Sequence, residues 1–363
     1  MSYYFDSYYL CGDKKFFNIY QAFQEQKTSG HFPKFVIDND LIKSIGDFKR
    51  PKKCSRHALQ DMMIKRLKQI RAKYGKLKLA YGGGTDSYTI VKLCVENDIY
   101  IDETVTLMCS LYGNLRTNLE PYAGLKSLRQ YQGKQIGKIT QIHPTVKDLD
   151  FINDPDWFCD PKYVAGPNLS LRYYSLPQII NRSMAKETDA IMLTGFEKPA
   201  IRVHEGKIFW YVNDHGVGDQ LGIGNTIPFF LDKENPELIM ALAYTYLDAY
   251  TRHNKLKEGD YLTFESIDKS AKFEILEQCG YFKTPYNFIN MHFMGKQHFD
   301  FHRKNIRFMA ECKKHGHQDF IDKMFASHLR IKDLYGNLPH ALESQNGLVK
   351  SVGRLSQQIP MNL

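Results

Sequence analysis

The chain has 363 residues, 43% hydrophobic and 25% charged, with a formal net charge of +9. That length supports two domains and a sizeable core, and the balance is that of a globular protein, not a disordered or fibrous one. No apolar run approaches the ~18 residues a membrane span needs, and the stretch from Met1 to Lys15 lacks the basic-then-apolar pattern of a signal peptide. Seven cysteines with no CxxC pair fit reduced thiols in a cytoplasm and weigh against zinc and iron–sulfur sites.

Residues 1–75 read as a leader of helices with one short strand at 35–37. The leader ends in a long amphipathic helix, 56–74, with Leu59, Met62, Met63, Leu67 and Ile70 on one face and Lys65, Arg66, Lys68 and Arg71 on the other. Lys49, Arg50, Lys52 and Lys53 cluster just before it. With 23 tyrosines and 23 phenylalanines, this charge suits either a nucleic-acid surface or the steering of a small anion such as ATP.

The most informative stretch follows. Leu77, Leu79, Ala80 and Tyr81 read as a strand, Gly82-Gly83-Gly84 as a turn, and Asp86 and Ser87 as the opening of a helix whose apolar face carries Ile90, Val91, Leu93, Cys94 and Val95. Three glycines leave no Cβ to block an anion and allow several amides to converge on one phosphate. The following helix adds the positive end of its dipole. Asp86 and Ser87 also stand where a helix takes its cap, a role compatible with phosphate binding. A second β-rich run at 103–111 completes a strand–helix–strand unit.

No lysine follows the glycines, so this is not the phosphate loop of kinases and GTPases, and the spacing is not that of the dinucleotide fingerprint. The run Gly82, Gly83, Gly84, Thr85, Asp86, Ser87 resembles the Ser-Gly-Gly-x-Asp-Ser loop of the N-type ATP pyrophosphatases, the PP-loop or adenine nucleotide alpha-hydrolase superfamily. Gly82 stands in place of the first serine, which removes one hydroxyl contact. The resemblance implies an α/β fold: a Rossmann-like parallel sheet of PP-loop type flanked by helices, with a helical C-terminal region. It implies that the loop holds the β- and γ-phosphates as a leaving pyrophosphate while an acceptor is adenylated. Tyr81, Met108 and Gly195 are expected beside the loop as nucleotide-binding residues. ATP and Mg²⁺ are the implied cofactors. Glutamine-dependent relatives begin with a cysteine after the initiator methionine; Ser2 stands there and the leader is short, so no built-in glutaminase is expected.

Further along, 112–132 reads as a helix and 138–143 as a third strand ending at His143. The stretch 151–171 has no periodicity and reads as a loop of lid or binding type, with Trp157 packed beneath it or stacked on a base. A helix at 173–187 leads into a buried strand, 190–194, and then into Gly195-Phe196-Glu197-Lys198-Pro199. By the resemblance, Glu197 shares Mg²⁺ with Asp86, and Lys198 neutralises charge on the leaving pyrophosphate. The alternative is an exposed Glu-Lys turn.

A hairpin over 201–213 turns at Glu205-Gly206, a glycine-rich stretch spans 214–226, and Asn235-Pro236 starts a helix to about 253. This region resembles the asparagine-synthase-like proteins of tailed phages. A helix over 269–279 carries Lys269 and Lys272, and the same resemblance offers Lys272 or Lys269 to the phosphates. The 311–317 stretch, with Cys312, is similar to the tail of the sulfonucleotide reductases with a changed spacing, which keeps a reductase or sulfurtransferase as an alternative. The last sixteen residues, 348–363, read as a tail that is mobile unless docked.

The expected organisation is a helical leader over 1–75, an ATP pyrophosphatase domain over 76–228 and a mainly helical substrate region over 229–363. The expected activity is adenylation of a carboxylate or carbonyl oxygen for attack by an amine, on an acceptor the sequence does not identify. A non-catalytic nucleic-acid or protein-binding module on the same scaffold is the other alternative.

Overall fold

The computed structural model describes residues 7–37, 39–49, 54–108, 111, 119–143, 145–160, 189–195, 200–212, 225–253, 255–259, 261–262, 269–284, 309–335, 342–343, 349–351 and 359–361. The N-terminal segment is more β-rich than its sequence suggests. Strands β1 (Tyr8–Cys11) and β2 (Lys14–Phe16) form a hairpin across Gly12, whose φ of 62° glycine tolerates. Strand β3 (Lys34–Val36) pairs with the other edge of β1. Helix α1 (Ile19–Ser29) is capped by Asn18, whose side chain accepts from the Tyr20 and Gln21 amides and donates to the Phe158 carbonyl. Helix α2 (Asn39–Gly46) follows.

Helix α3 (Arg56–Lys73) starts on a Ser55 cap and buries Leu59, Met63, Leu67 and Ile70, as the spacing predicts. It also buries Arg66, which the pattern assigns to the solvent face. Arg66 pairs with Asp232, fully buried, and with Glu234 at 3.0 Å. A buried guanidinium is tolerable because two carboxylates meet its fork of donors.

The central sheet is built from β4 (Lys76–Ala80), β5 (Ile101–Leu107), β6 (Ile136–Ile142), β7 (Ala190–Thr194) and, past the hairpin β8 (Ala200–His204) and β9 (Lys207–Tyr211), β10 (Thr226–Pro228). Its spatial order is β10-β7-β4-β5-β6 and every pair is parallel. Helix α4 (Thr85–Glu96) links β4 to β5, and α5 (Leu119–Leu128) precedes β6. Leu77, Leu79, Ile191 and Leu193 share one sheet face and join α3, α4 and α6 (Pro236–His253) in the main core. The opposite face carries a smaller cluster of Val105, Ala190 and Met192. The molecule is therefore an α/β protein with a five-stranded parallel sheet flanked by helices.

The expected strand at 103–111 begins two residues earlier, at Ile101, and ends at Leu107. Of the stretch 151–171, the described part packs through Phe151, Ile152, Trp157 and Phe158, while 153–156 are exposed. Short 3-10 turns span Val146–Asn153 and Trp157–Cys159, and Trp157 is 1% exposed, with its indole N–H donating to Ser327 Oγ at 3.0 Å. Trp157 is thus a core residue and does not offer a face for stacking on a base. The predicted helix at 173–187 lies outside the described residues.

Beyond α6 come β11 (Tyr261–Leu262), α7 (Lys269–Gln278), α8 (Gln318–Tyr335), β12 (Leu342–Glu343), β13 (Val349–Ser351) and β14 (Ile359–Pro360). A second sheet, β11-β8-β9-β14, is antiparallel. Its β8–β9 turn, Glu205-Gly206, has φ of 50° and 68°, the paired left-handed turn that the sequence indicates. The described segment 359–361 of the tail is docked: Met361 N–H donates to Ile208 O at 2.8 Å, and Ile359 is buried.

Candidate functional site

In the central sheet, β5 lies on one side of β4 and β7 on the other. The strand order reverses between β4 and β7, the switch point at whose carboxyl ends open α/β sheets take their ligands. The glycine loop leaves β4 at that edge, and Gly195 leaves β7 beside it.

Tyr81 extends the strand pairing, its N–H donating to Val105 O at 2.8 Å. The chain then turns through Gly83 at φ 83°. Gly84 is the N-cap of α4, in extended conformation and without a side-chain cap, so Asp86 and Ser87 lie inside the first turn and do not cap it. The reason is one of register: the helix begins at Thr85, which leaves the cap to a residue with no side chain. Tyr88 N–H closes the first turn on Gly84 O at 3.0 Å, and the Ser87 hydroxyl donates back to the same carbonyl at 3.3 Å. The amides of the first turn precede that closure and have no i−4 acceptor in the helix, at the positive end of its dipole.

Two neighbouring glycines brace this loop. A Cβ on Gly195 would stand 2.9 Å from the Ser87 nitrogen and 3.0 Å from the Asp86 Cβ. A Cβ on Gly124 of α5 would stand 2.7 Å from both the Gly83 Cα and the Tyr81 ring. Real side chains do not approach this closely, so both positions require glycine. Gly82, Gly84, Thr85 and Asp86 remain partly exposed, while Tyr81, Gly83 and Ser87 are buried.

Sequence reasoning missed two buried residues in this part of the fold. Lys78, 2% exposed in the middle of β4, bonds Glu103 Oε2 at 2.8 Å. Thr140 donates to Glu103 Oε1 at 2.5 Å, and exposed Lys138 lies 3.3 Å from the same oxygen. Burial pushes the Glu103 carboxyl up, but the bonds from Lys78 and Thr140 outweigh it and hold it below the usual range. The other is Tyr281, fully buried, whose phenol is raised well above its ordinary value by burial first and by the Asp86 charge second. A basic residue alternating with leucines was the only signal for Lys78; nothing local points from Tyr281 to Asp86.

Of the sequence-derived candidates, Tyr81 to Ser87 and Gly195 come together at this edge. Tyr81 has its ring against Gly124 and its amide on Val105, so it acts as scaffold. Met108, just past β5, is fully buried, its N–H on Ile142 O at 2.9 Å. Glu197 and Lys198 lie outside the described residues. Lys269 and Lys272 belong to α7, and their side chains also lie outside the description. Among the described residues no group of three or more His, Cys, Asp or Glu side chains comes together. His143 is exposed just past β6. Cys312 is buried, and desolvation pushes its thiol up to about 12, so it is not a ready nucleophile.

A separate cavity of about 550 Å³ lies at the β1–β2 hairpin, lined by Leu10, Cys11, Asp13, Glu25, His31 and Phe32 among others, and includes no residue of the glycine loop. The glycine loop is the candidate site because it stands at the switch point of the sheet and opens a helix, a position with a chemical meaning that volume alone lacks. No family model matches the chain, and no curated protein matches it.

Proposed function

We propose that the chain is an ATP pyrophosphatase of PP-loop type that adenylates a carboxylate or carbonyl oxygen and hands the activated acyl group to an amine. One observation carries this: a triple-glycine turn at the carboxyl edge of a parallel sheet, at its switch point, backed by a glycine just past the adjacent strand so that the first turn of α4 can sit tight against the end of β7.

In this reading the amides of Gly82, Gly83 and Gly84 hold the terminal phosphates, and the α4 dipole stabilises their charge. Asp86, a hard oxygen donor in that first turn, fits Mg²⁺ shared with the phosphates. When bound, Mg²⁺ neutralises charge on the leaving pyrophosphate. The acceptor oxygen attacks the α-phosphorus, the bond to the bridging oxygen breaks, and pyrophosphate leaves. An amine then attacks the acyl carbon and AMP departs. Lys198 and Lys272 are assigned by resemblance to neutralise the phosphates, and Glu197 to complete the metal site. The burial of Cys312 weighs against the sulfur-transfer alternative. The net charge of +9 suits an anionic substrate as well as a nucleic acid.

The test is incubation with ATP, Mg²⁺ and a panel of carboxylic acids, with hydroxylamine as trapping amine. Stoichiometric AMP, pyrophosphate and hydroxamate are expected. A protein that binds no ATP by calorimetry overturns the reading.

A further inference from the structure

Thr89 sits one turn into α4, fully buried, and its hydroxyl is engaged twice. It donates to Thr85 O at 2.8 Å, at the residue where the glycine loop becomes helix. It also accepts the Phe282 amide N–H at 3.0 Å, from a segment distant in sequence. That segment leaves α7 through Gly280 at φ 87° and is pinned on several sides. Gln60 of α3 donates to Gly280 O at 3.0 Å, Tyr281 N–H bonds Leu276 O at 3.0 Å, and the Tyr281 ring lies 4.9 Å from that of Phe230. A β-branched hydroxyl at this helix position could serve its own turn alone; accepting a part-buried amide from α7's exit makes it a joint between two elements.

We infer that Thr89 is a positioning residue that locks the exit of α7 to the first turn of α4, so that the glycine loop and α7 move as one body. The claim deepens the proposed function, since it rests on the glycine loop being the phosphate site. On that footing α7, which carries Lys269 and Lys272, senses whether the loop is filled. Thr89 touches no ligand itself; it acts through the loop's geometry.

Hydrogen exchange on the full chain tests the joint without any ligand. Thr89→Val keeps the shape and removes both bonds; Thr89→Ser keeps the hydroxyl. In Thr89→Val, exchange should speed at both the Phe282 amide and the Tyr88 amide, which closes the α4 first turn, with the β5–β6 amides unchanged and with Thr89→Ser restoring the wild-type rates. Faster exchange at Phe282 alone overturns the coupling. If Thr89→Val does not fold, native-state exchange of the wild type decides: Phe282 and Tyr88 must share one opening equilibrium, and separate openings overturn the proposal. Calorimetry with inorganic pyrophosphate and Mg²⁺ is read separately. Thr89→Val should weaken binding roughly three- to tenfold and Thr89→Ser by less than about twofold. Equal affinities across the three proteins contradict the positioning role, whereas a wild type that binds no pyrophosphate contradicts the phosphate-site reading and leaves the exchange result to judge the joint.

Discussion

Gly195 lies directly against Ser87: a side chain on the former would stand 2.9 Å from the amide nitrogen of the latter. The two residues end one strand and open the helix after the next strand in the sheet, so this contact sets how closely the α4 first turn approaches β7. Gly195→Ala must push that turn outward. Overpacking of this kind costs about 1–3 kcal/mol. We expect that loss in urea denaturation, together with weakened pyrophosphate binding. Gly46→Ala, on α2 with open space around it, is the control and should be neutral or slightly stabilising.

The pair Lys78–Glu103 makes stability pH-dependent. Glu103 has a lowered pKa in the folded chain, so folding favours its ionised form. Its contribution is present above the ordinary carboxylate value and is lost as the pH falls through the lowered one. Lys78→Met should cost about 1–3 kcal/mol near neutrality, because it takes the buried cation from a carboxylate that keeps only Thr140 and the exposed Lys138. It should also flatten the acid limb of the stability profile. Adding Glu103→Leu should recover much of the loss, since an apolar pair needs no desolvated charge. Denaturation midpoints from pH 3 to 8 check both statements.

Cys94 and Cys312 are both buried, and desolvation raises each thiol to about 12. Neither should react with iodoacetamide at pH 8 in the native protein, and both should react in denaturant, as read by mass spectrometry. Cys312→Ala should leave ATP turnover intact. Loss of turnover with the fold preserved would return the sulfur chemistry to consideration.

The legible parts of this chain were those whose structure is set by near neighbours. The strand at 190–194 is a short apolar run bounded by an acidic turn and a glycine, and it forms with those limits. The strand, triple glycine and helix at 77–96 announce themselves through a change of period across a turn. The first helical residue was not legible, because Asp86 and Ser87 are good cap residues and only the observed register gives the cap to Gly84. The hairpin β1–β2 was missed since its tyrosines do not alternate with polar residues; Gly12-Asp13 was the available turn signal. Arg66, Lys78 and Tyr281 break the apolar pattern for long-range reasons. Their partners, or for Tyr281 its acidic neighbour, lie on other elements, and no periodicity reports such a pairing.

Calorimetric titration of the wild type and of Asp86→Ala with Mg²⁺ and pyrophosphate addresses the central claim most directly. Saturable binding at one site, lost or weakened at least tenfold in the variant, is the predicted result, the size following from removal of a metal-binding carboxylate at about 1.4 kcal/mol per decade. Binding of equal strength in both proteins, or none in either, would contradict it.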